Sequence, residues 1–573
     1  MTSSAKTLAT EHSASCFLNS LLREWNGYRV AREGDRTEIR IPLEDDASLV
    51  LGLRRFSRLG RHRYDSFELR RASGDAAKLD FARVVDVLSR HLATSFGTSP
   101  EALRLFTGRV AESLATIERT LERRGDEWSS DRAPDWNFLA AEQGLVIGHN
   151  FHPTPKSRDE FDEADMRAYS PEFAGAFRMA WYSVDPAILF ESKARSFADS
   201  DWCLELARAD GLAEPVLDEA RRAGRPLVPF HPWQAAALRR HPVVGRYLEE
   251  GRFRRVGQSV RDWHPTSSLR SVYREDAPFM LKFSMSVKLT NSIRHLLSRE
   301  VERGLQLCDV LATPLGRRFL SEHPGFRVVS EPAYFALKDD EGHALDETIV
   351  VCRENPFRGE AARGKAVLAT LAQDAPLGGP SPLGRLLESS RPDLAPPARA
   401  RAWFDAYLRE VVRPLVLAHT RYGIVLGAHQ QNLVLDLRDG FPVGAYFRDC
   451  QGTGYTELGF ANFASSVPSI RRSNGNVVSE RMGNGLFLYY LVLNSSFNVL
   501  TSLVEWSGLE EEVFLRDFRD FLAGLPRDGD EACLRALREG ETLLHKGNFL
   551  CAFRSLNENT TTDPLAIYTP VDN

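Results

Sequence analysis

No Cys-x-x-Cys pair occurs in this chain; its seven cysteines, Cys16, Cys203, Cys308, Cys352, Cys450, Cys533 and Cys551, are scattered. That absence disfavours zinc and iron–sulfur sites. An odd, dispersed set reads as reduced, buried thiols of a cytoplasmic protein, with no disulfide framework. A basic excess is also missing: 73 Lys and Arg against 78 Asp and Glu give a formal charge of −5, so no global field argues for nucleic acid. No apolar run reads as long enough to cross a bilayer, and no membrane partner is expected. Met1 to His12 lacks an apolar signal core and reads as a loose tail. Neither a GxxxxGK[ST] loop nor a GxGxxG fingerprint is present, which excludes P-loop and Rossmann phosphate binding. No repeat of fixed period is visible.

What is present belongs to an ordinary globular protein: 573 residues, 43% hydrophobic and 26% charged, too long for one core. An amphipathic helix is expected from Ala14 to Trp25. Alternating strands follow around Glu38–Ile41 and Ser48–Leu53, then helices near Ala82–Phe96 and Pro100–Arg124. Arg54, Arg55, Arg58, Arg61 and Arg63 read as a solvated strand face. Gly251–Tyr273 and Pro278–Lys288 read as β segments. A helix is expected to open at Leu289, capped by Thr290 or Asn291, with Arg294 one turn in. The Pro- and Gly-rich stretch Asp374 to Ala400 reads as an exposed loop, followed by a long helix to Arg421. Three lobes are expected, at residues 1–140, 141–373 and 374–573.

The most informative segment runs from Tyr422 to Leu435 and closes at Arg448 and Asp449. Apolar run, polar loop, apolar run and a terminal charged pair can gather His429, Gln431, Asn432, Arg448 and Asp449 at one set of strand ends. Asn432 and Asp449 are oxygen ligands suited to Mg²⁺, which binds substrate phosphates while keeping waters; His429 and Arg448 are donors for phosphate oxygens. A polar turn between buried strands, with His429 satisfied in the core, accounts for these residues equally well. Ser268 and Arg270 share a strand face. Lys282 lies in an apolar strand, where an unpaired charge is costly, and no acid is near in sequence; polyphosphate would neutralise it. The loop Gly148–Arg158 collects His149, His152, Lys156 and Arg158 on a rigid Pro-rich frame, which a purely structural turn would also explain. His231-Pro232-Trp233-Gln234 reads as a strand end entering a helix. Lys546 is by default a surface lysine, and a substrate-carboxylate contact is the alternative.

Taken in register, the blocks Gly148-His149, His152-Pro153, Lys156-Ser157-Arg158, His231-Pro232-Trp233-Gln234, Thr266–Arg270, Lys282 with Thr290, Asn291 and Arg294, His429–Asn432 and Arg448-Asp449 resemble the IucA/IucC family of siderophore synthetases that work without nonribosomal peptide synthetases. The resemblance implies an α+β, three-lobed thumb–fingers–palm architecture with mixed and antiparallel sheets and a kinase-like nucleotide cleft. It implies a cytoplasmic, often dimeric enzyme that uses ATP and Mg²⁺ to adenylate a carboxylic acid, often citrate, and passes the acyl group to an amine or hydroxyl. By position, Lys156, Ser268, Arg270, Lys282, Thr290, Asn291, Arg294, His429, Gln431 and Arg448 would meet the nucleotide. Arg294, Lys546, His149 and His152 would meet the acid, Asn432 and Asp449 the metal, with Lys282, Arg294 and His429 central to catalysis. Gly427 departs from the pattern, since many members carry Glu there. The rival readings are a kinase-like phosphotransferase and a non-catalytic siderophore or citrate carrier.

Overall fold

Ser4 opens the first helix, Ala5–Glu24, by accepting the amide of Thr7, so most of the expected loose tail is helical. The computed structural model describes residues 4–34, 36–128, 136–289, 292–526, 529–540, 542–556 and 564–572. Thr290 and Asn291 lie outside the described residues. The alternating segments form a five-stranded antiparallel meander over Arg29–Lys78, because their apolar residues fall on one face. That face packs on the first helix and on Phe81–Phe96 and Pro100–Arg124, with Phe17, Ile39, Leu51, Leu88 and Phe106 in the core. Phe549 and Phe553, from the far end of the chain, complete the same core.

Two further sheets position the site. The six-stranded antiparallel sheet runs His264–Pro265, Ser271–Tyr273, Phe279–Phe283, Val350–Glu354, Ala333–Leu337 and Leu189–Lys193 in spatial order. A four-stranded sheet places Phe441–Phe447 between Leu433–Arg438, antiparallel, and Phe326–Val328, parallel. The described strands pair antiparallel except for Phe326–Val328 with Phe441–Phe447, and helices pack on these sheets, so the chain is α+β.

Several expectations require correction. Leu289 opens no helix: Met285–Leu289 and Ser292–Arg294 are an antiparallel hairpin, and the helix starts at Ser298. Arg294 therefore sits on a strand, and no helix N-terminus lies beneath it. The stretch Asp374–Ala400 contains the helix Pro382–Ser389, with Leu383, Leu386 and Leu387 in the largest core; its prolines mark helix starts. Glu480–Ser507 is helical throughout and apolar enough to span a bilayer by length and composition. It is apolar because it is buried nearly all round, the other circumstance that yields such a helix.

The arginine run is solvated only in part: Arg54 and Arg58 are exposed, whereas Arg61 and Arg63 are not. Arg61 is buried and donates to Asp374, to Thr501, Ser502 and the Asn498 carbonyl; Arg63 binds Asp374 and Glu505. Burial would raise the Asp374 pKa, but Arg63 and Arg61 overcome it and hold the carboxyl well below the usual range. With a depressed folded pKa, its stabilisation is complete above the unfolded value of about 3.9 and is lost as pH falls below it. Asp374→Asn is expected to be less stable at pH 7 and to show a shallower loss of stability below pH ~4 than the natural chain, measured by urea unfolding across pH.

Candidate active site

A cavity of about 270 Å³ opens where the two sheets meet the C-terminal helices. The strand Phe279–Phe283 supplies Lys282, whose Nζ pairs with the Asp449 carboxylate at the end of Phe441–Phe447 and lies 3.7 Å from Glu331. Arg353 holds Glu331 from behind, at 3.0 Å through Nε. The acid that was missing near Lys282 in sequence is thus supplied by tertiary contact. Burial raises the Asp449 pKa, but Lys282, Arg353 and Arg270 bring it far below the usual carboxylate range.

Backbone geometry marks the same two loops. Asp449 has φ of 73° and Leu269 has φ of 66°, left-handed conformations that cost a side-chain-bearing residue about 1–3 kcal/mol. Leu269 turns the chain between Ser268 and Arg270: the Thr266 and Ser271 backbones bond across the turn, and Ser268 Oγ accepts the Ser271 amide at 3.2 Å. The turn aims Ser268 and Arg270 into the cavity. Among the described residues Arg270 forms no ion pair with a carboxylate; its guanidinium donates to the Arg294 carbonyl at 3.3 Å. Desolvation lowers its pKa to about 10, so it stays charged at neutral pH and is free to take an anion.

His429 follows Leu426–Ala428 in the loop between two buried strands and faces Tyr490, with ring centroids 5.7 Å apart. Burial lowers its pKa to about 4, so the ring is neutral at pH 7. His149, lowered to about 3 by burial, lies 2.9 Å from Asn494. Tyr489, Tyr490 and Asn494 come from a π-helical stretch, Leu488–Ser496, a departure from α-geometry common at functional sites. Lys546 ends the strand Thr542–Lys546 and lines the same space.

The cavity therefore unites His149, His152, Lys156, Ser268, Arg270, Arg294, His429, Gln431, Asp449 and Lys546. Its described lining carries five cations, Lys156, Arg158, Arg270, Arg294 and Lys546, against one carboxylate, Asp449. Two expected members are committed elsewhere. Arg448 is turned to Glu142, Ser267 and the Gln431 carbonyl, which uses up its donors. Lys156 is held by Glu172 at 3.4 Å and the Leu145 carbonyl at 2.5 Å; burial lowers its pKa to about 8. Asn432 is buried and is not among the residues lining the cavity; its amide nitrogen donates to the Gly427 carbonyl at 3.0 Å. One aspartate and one amide oxygen suit Mg²⁺, which needs few protein ligands when phosphates and water complete its shell.

Comparison with known proteins agrees with this geometry. Residues 137–373 match the IucA / IucC family model, and residues 401–561 match the model described as "Ferric iron reductase FhuF-like transporter". The N(2)-citryl-N(6)-acetyl-N(6)-hydroxylysine synthase of Vibrio mimicus is 36% identical over 98% of this chain and 95% of its own length. The chain belongs to the IucA/IucC family. The Escherichia coli synthase of the same name is 33% identical over 98% of this chain and 96% of its own. A spermidine-citrate ligase of Bacillus anthracis is 32% identical over 87% and 84%. Among solved structures, ATP-bound aerobactin synthetase IucA of Klebsiella pneumoniae superposes with a TM-score of 0.89 at 31% identity, covering 98% of this chain and 99% of that one.

Gly427 is the position at which the sequence was expected to depart from the family pattern. A Cβ built there meets only Gly452 atoms at 3.8–3.9 Å, ordinary contact distances, and the position is not left-handed. Gly427→Ala is therefore expected to fold normally and to gain about 0.4–1 kcal/mol from the unfolded state, measured by denaturant midpoint. The sequence reading missed the acids behind the site: Glu142, Glu172 and Glu331, all buried. Each sits in an otherwise unremarkable segment, and only the oddity of buried cations without local partners hinted at them.

Proposed function

We propose that this cavity binds ATP and a carboxylic acid, citrate or a citrate derivative, activates the acid as an acyl-adenylate, and condenses it with an amine or hydroxyl during siderophore synthesis. Charge carries the reading: Lys156 and Arg158 are paired with Glu172 behind the wall, and the three other lining cations, Arg270, Arg294 and Lys546, stand against one carboxylate, Asp449, in a space shared by loops of two sheets. An acid anion and a triphosphate repel each other, and fixed cations offset that repulsion at no reorganisation cost. Ser268, Arg270 and Lys282 take the phosphates, with Gln431 beside them. Arg294 bridges to the acid, whose other groups meet His149, His152 and Lys546. Lys156 and Arg448 act one layer out, through Glu172 and Glu142. Asn432 and Asp449 would hold Mg²⁺, which would add positive charge at the phosphates.

When the acid's oxygen attacks the α-phosphorus, the bond to pyrophosphate breaks and the cationic wall balances the charge moving onto the leaving group. The acceptor then attacks the acyl carbon, AMP leaves, and the acceptor's proton must go to a base. His429, neutral and at the centre of the cavity, is placed to take it. No side chain becomes acylated. A three-lobed, kinase-like cleft with lobe boundaries near 140 and 374, a homodimer and a cytoplasmic location belong to the same proposal. ATP use is supported by the ATP-bound relative of the same fold, and citrate by the citrate-derived names of the relatives.

The test is citrate-dependent exchange of pyrophosphate into ATP. The natural chain is expected to exchange, and Arg294→Ala or His429→Ala to abolish it without unfolding. Full exchange in both variants removes the assignment. Product chromatography separates the kinase-like alternative, which yields ADP in place of AMP.

A further inference from the structure

The first 136 residues lie outside both family-model matches, yet their first helix ends against the cavity's C-terminal wall. Glu24, its last residue and buried, accepts the amides of Phe549 at 2.8 Å and Leu550 at 2.9 Å. These amides open the helix Asn548–Phe553, directly after Lys546 and Gly547. Gly547 is packed so closely that a Cβ would lie 2.9 Å from the Ile567 carbonyl and 3.5 Å from Glu24. Arg23 covers the Phe151 ring at 3.3 Å, and Asn548 donates to the Phe151 carbonyl at 3.0 Å. Phe549 and Phe553 lock the segment into the N-terminal core, at 5.1 Å from Phe17 and 5.0 Å from Phe106 respectively.

Phenylalanine packing alone would anchor this segment without any buried carboxylate. Burial pushes the Glu24 pKa up to about 8, against the pull of the backbone amides, so the acid is kept at an energetic cost. Attachment of two consecutive amides to the two side-chain oxygens of Glu24 is directional and fixes the helix in translation and rotation, which apolar contacts do not.

We infer that Glu24 is a positioning residue: it sets the height of Lys546 and Asn548 in the cavity, making the N-terminal module a structural part of the acid-binding end. The inference rests on the reading that Lys546 meets the acid substrate. A displacement of this kind, remote from the reacting atoms, costs up to about a hundredfold in rate.

Steady-state kinetics with citrate and ATP on the full chain test it. Glu24→Ala is expected to raise KM for citrate about tenfold, with KM for ATP within twofold of the natural value. Glu24→Gln, which keeps the acceptor for Phe549, is expected to fall between. A merely structural role predicts a lower kcat with both KM values unchanged, in proportion to the unfolded fraction, and that result overturns the inference. Lys546→Ala separates the two levels. If it raises KM for citrate and Glu24→Ala does not, Glu24 alone is wrong; if it leaves KM for citrate unchanged, the underlying site reading falls too. On the unaltered chain, hydrogen exchange at the Phe549 and Leu550 amides is expected to slow when citrate binds. Unchanged exchange counts against the inference even if no variant folds.

Discussion

Arg270→Ala is expected to lower kcat/KM for ATP by about a hundredfold to a thousandfold while leaving the fold intact. Removing one preorganised donor from a charge-stabilising site commonly costs about 2.7–4 kcal/mol. Arg270 suits the comparison because, among the described residues, it forms no ion pair with a carboxylate and donates to the Arg294 carbonyl. Its loss strands no buried acid, so the change reads as lost ligand affinity and lost transition-state stabilisation. Steady-state kinetics together with a urea midpoint check it. An unchanged kcat/KM would mean that Arg270 faces solvent in the working enzyme, and the charge argument for the site would fail with it. Lys282 gives a less clean answer, since its removal takes from Asp449 the cation it pairs with, although Glu331 keeps Arg353.

The opposite behaviour is expected of Glu142→Ala, which should destabilise the protein by about 3–5 kcal/mol, the usual cost of breaking a buried ion pair from one side. Glu142 is fully buried, accepts the Ser267 amide at 2.9 Å and takes two donors of Arg448. Arg448 in turn holds the Gln431 carbonyl at 2.8 Å. One carboxylate thereby joins the Thr266–Arg270 turn to the His429 loop, and it is not among the residues lining the cavity. A double replacement, Glu142→Leu with Arg448→Met, is expected to recover part of the stability without recovering ATP affinity, because it removes the unpaired charge but leaves the two loops untied. Urea unfolding and ATP titration of both variants separate these effects. A single Glu142→Ala with an unchanged midpoint would show that the pair is not under load.

Local elements were legible where periodicity was strong. The helices Phe81–Phe96 and Pro100–Arg124, the alternating strands of the first sheet, and the entry of His231-Pro232 into a helix all follow from spacing and capping. The hairpin at Met285–Arg294 was not legible, because Thr290 and Asn291 offer a cap as readily as they offer a turn. The burial of Arg61 was hidden for a related reason. Alternation separates the two faces of a strand, yet Arg61 follows the strand, and only the helix bearing Thr501 and Ser502 closes over it. Helices from Asn484 onward were expected, but not one continuous apolar helix Glu480–Ser507, because its run is broken by asparagines and serines, which donate to carbonyls inside the core.

Residue chemistry by itself marked His429, Asn432, Asp449, Arg270 and Lys282 as candidates for handling phosphate and a hard cation, and the order of the motifs along the chain pointed to the IucA/IucC family. Which of these cations remain available was decided only in three dimensions. Arg448 and Lys156 are taken by acids 306 and 16 positions away in sequence, Glu142 and Glu172, while Arg270 is not. Helical and strand periods reach only a few residues, whereas charge pairing acts through space, so no local pattern distinguishes a neutralised arginine from one that waits for a ligand.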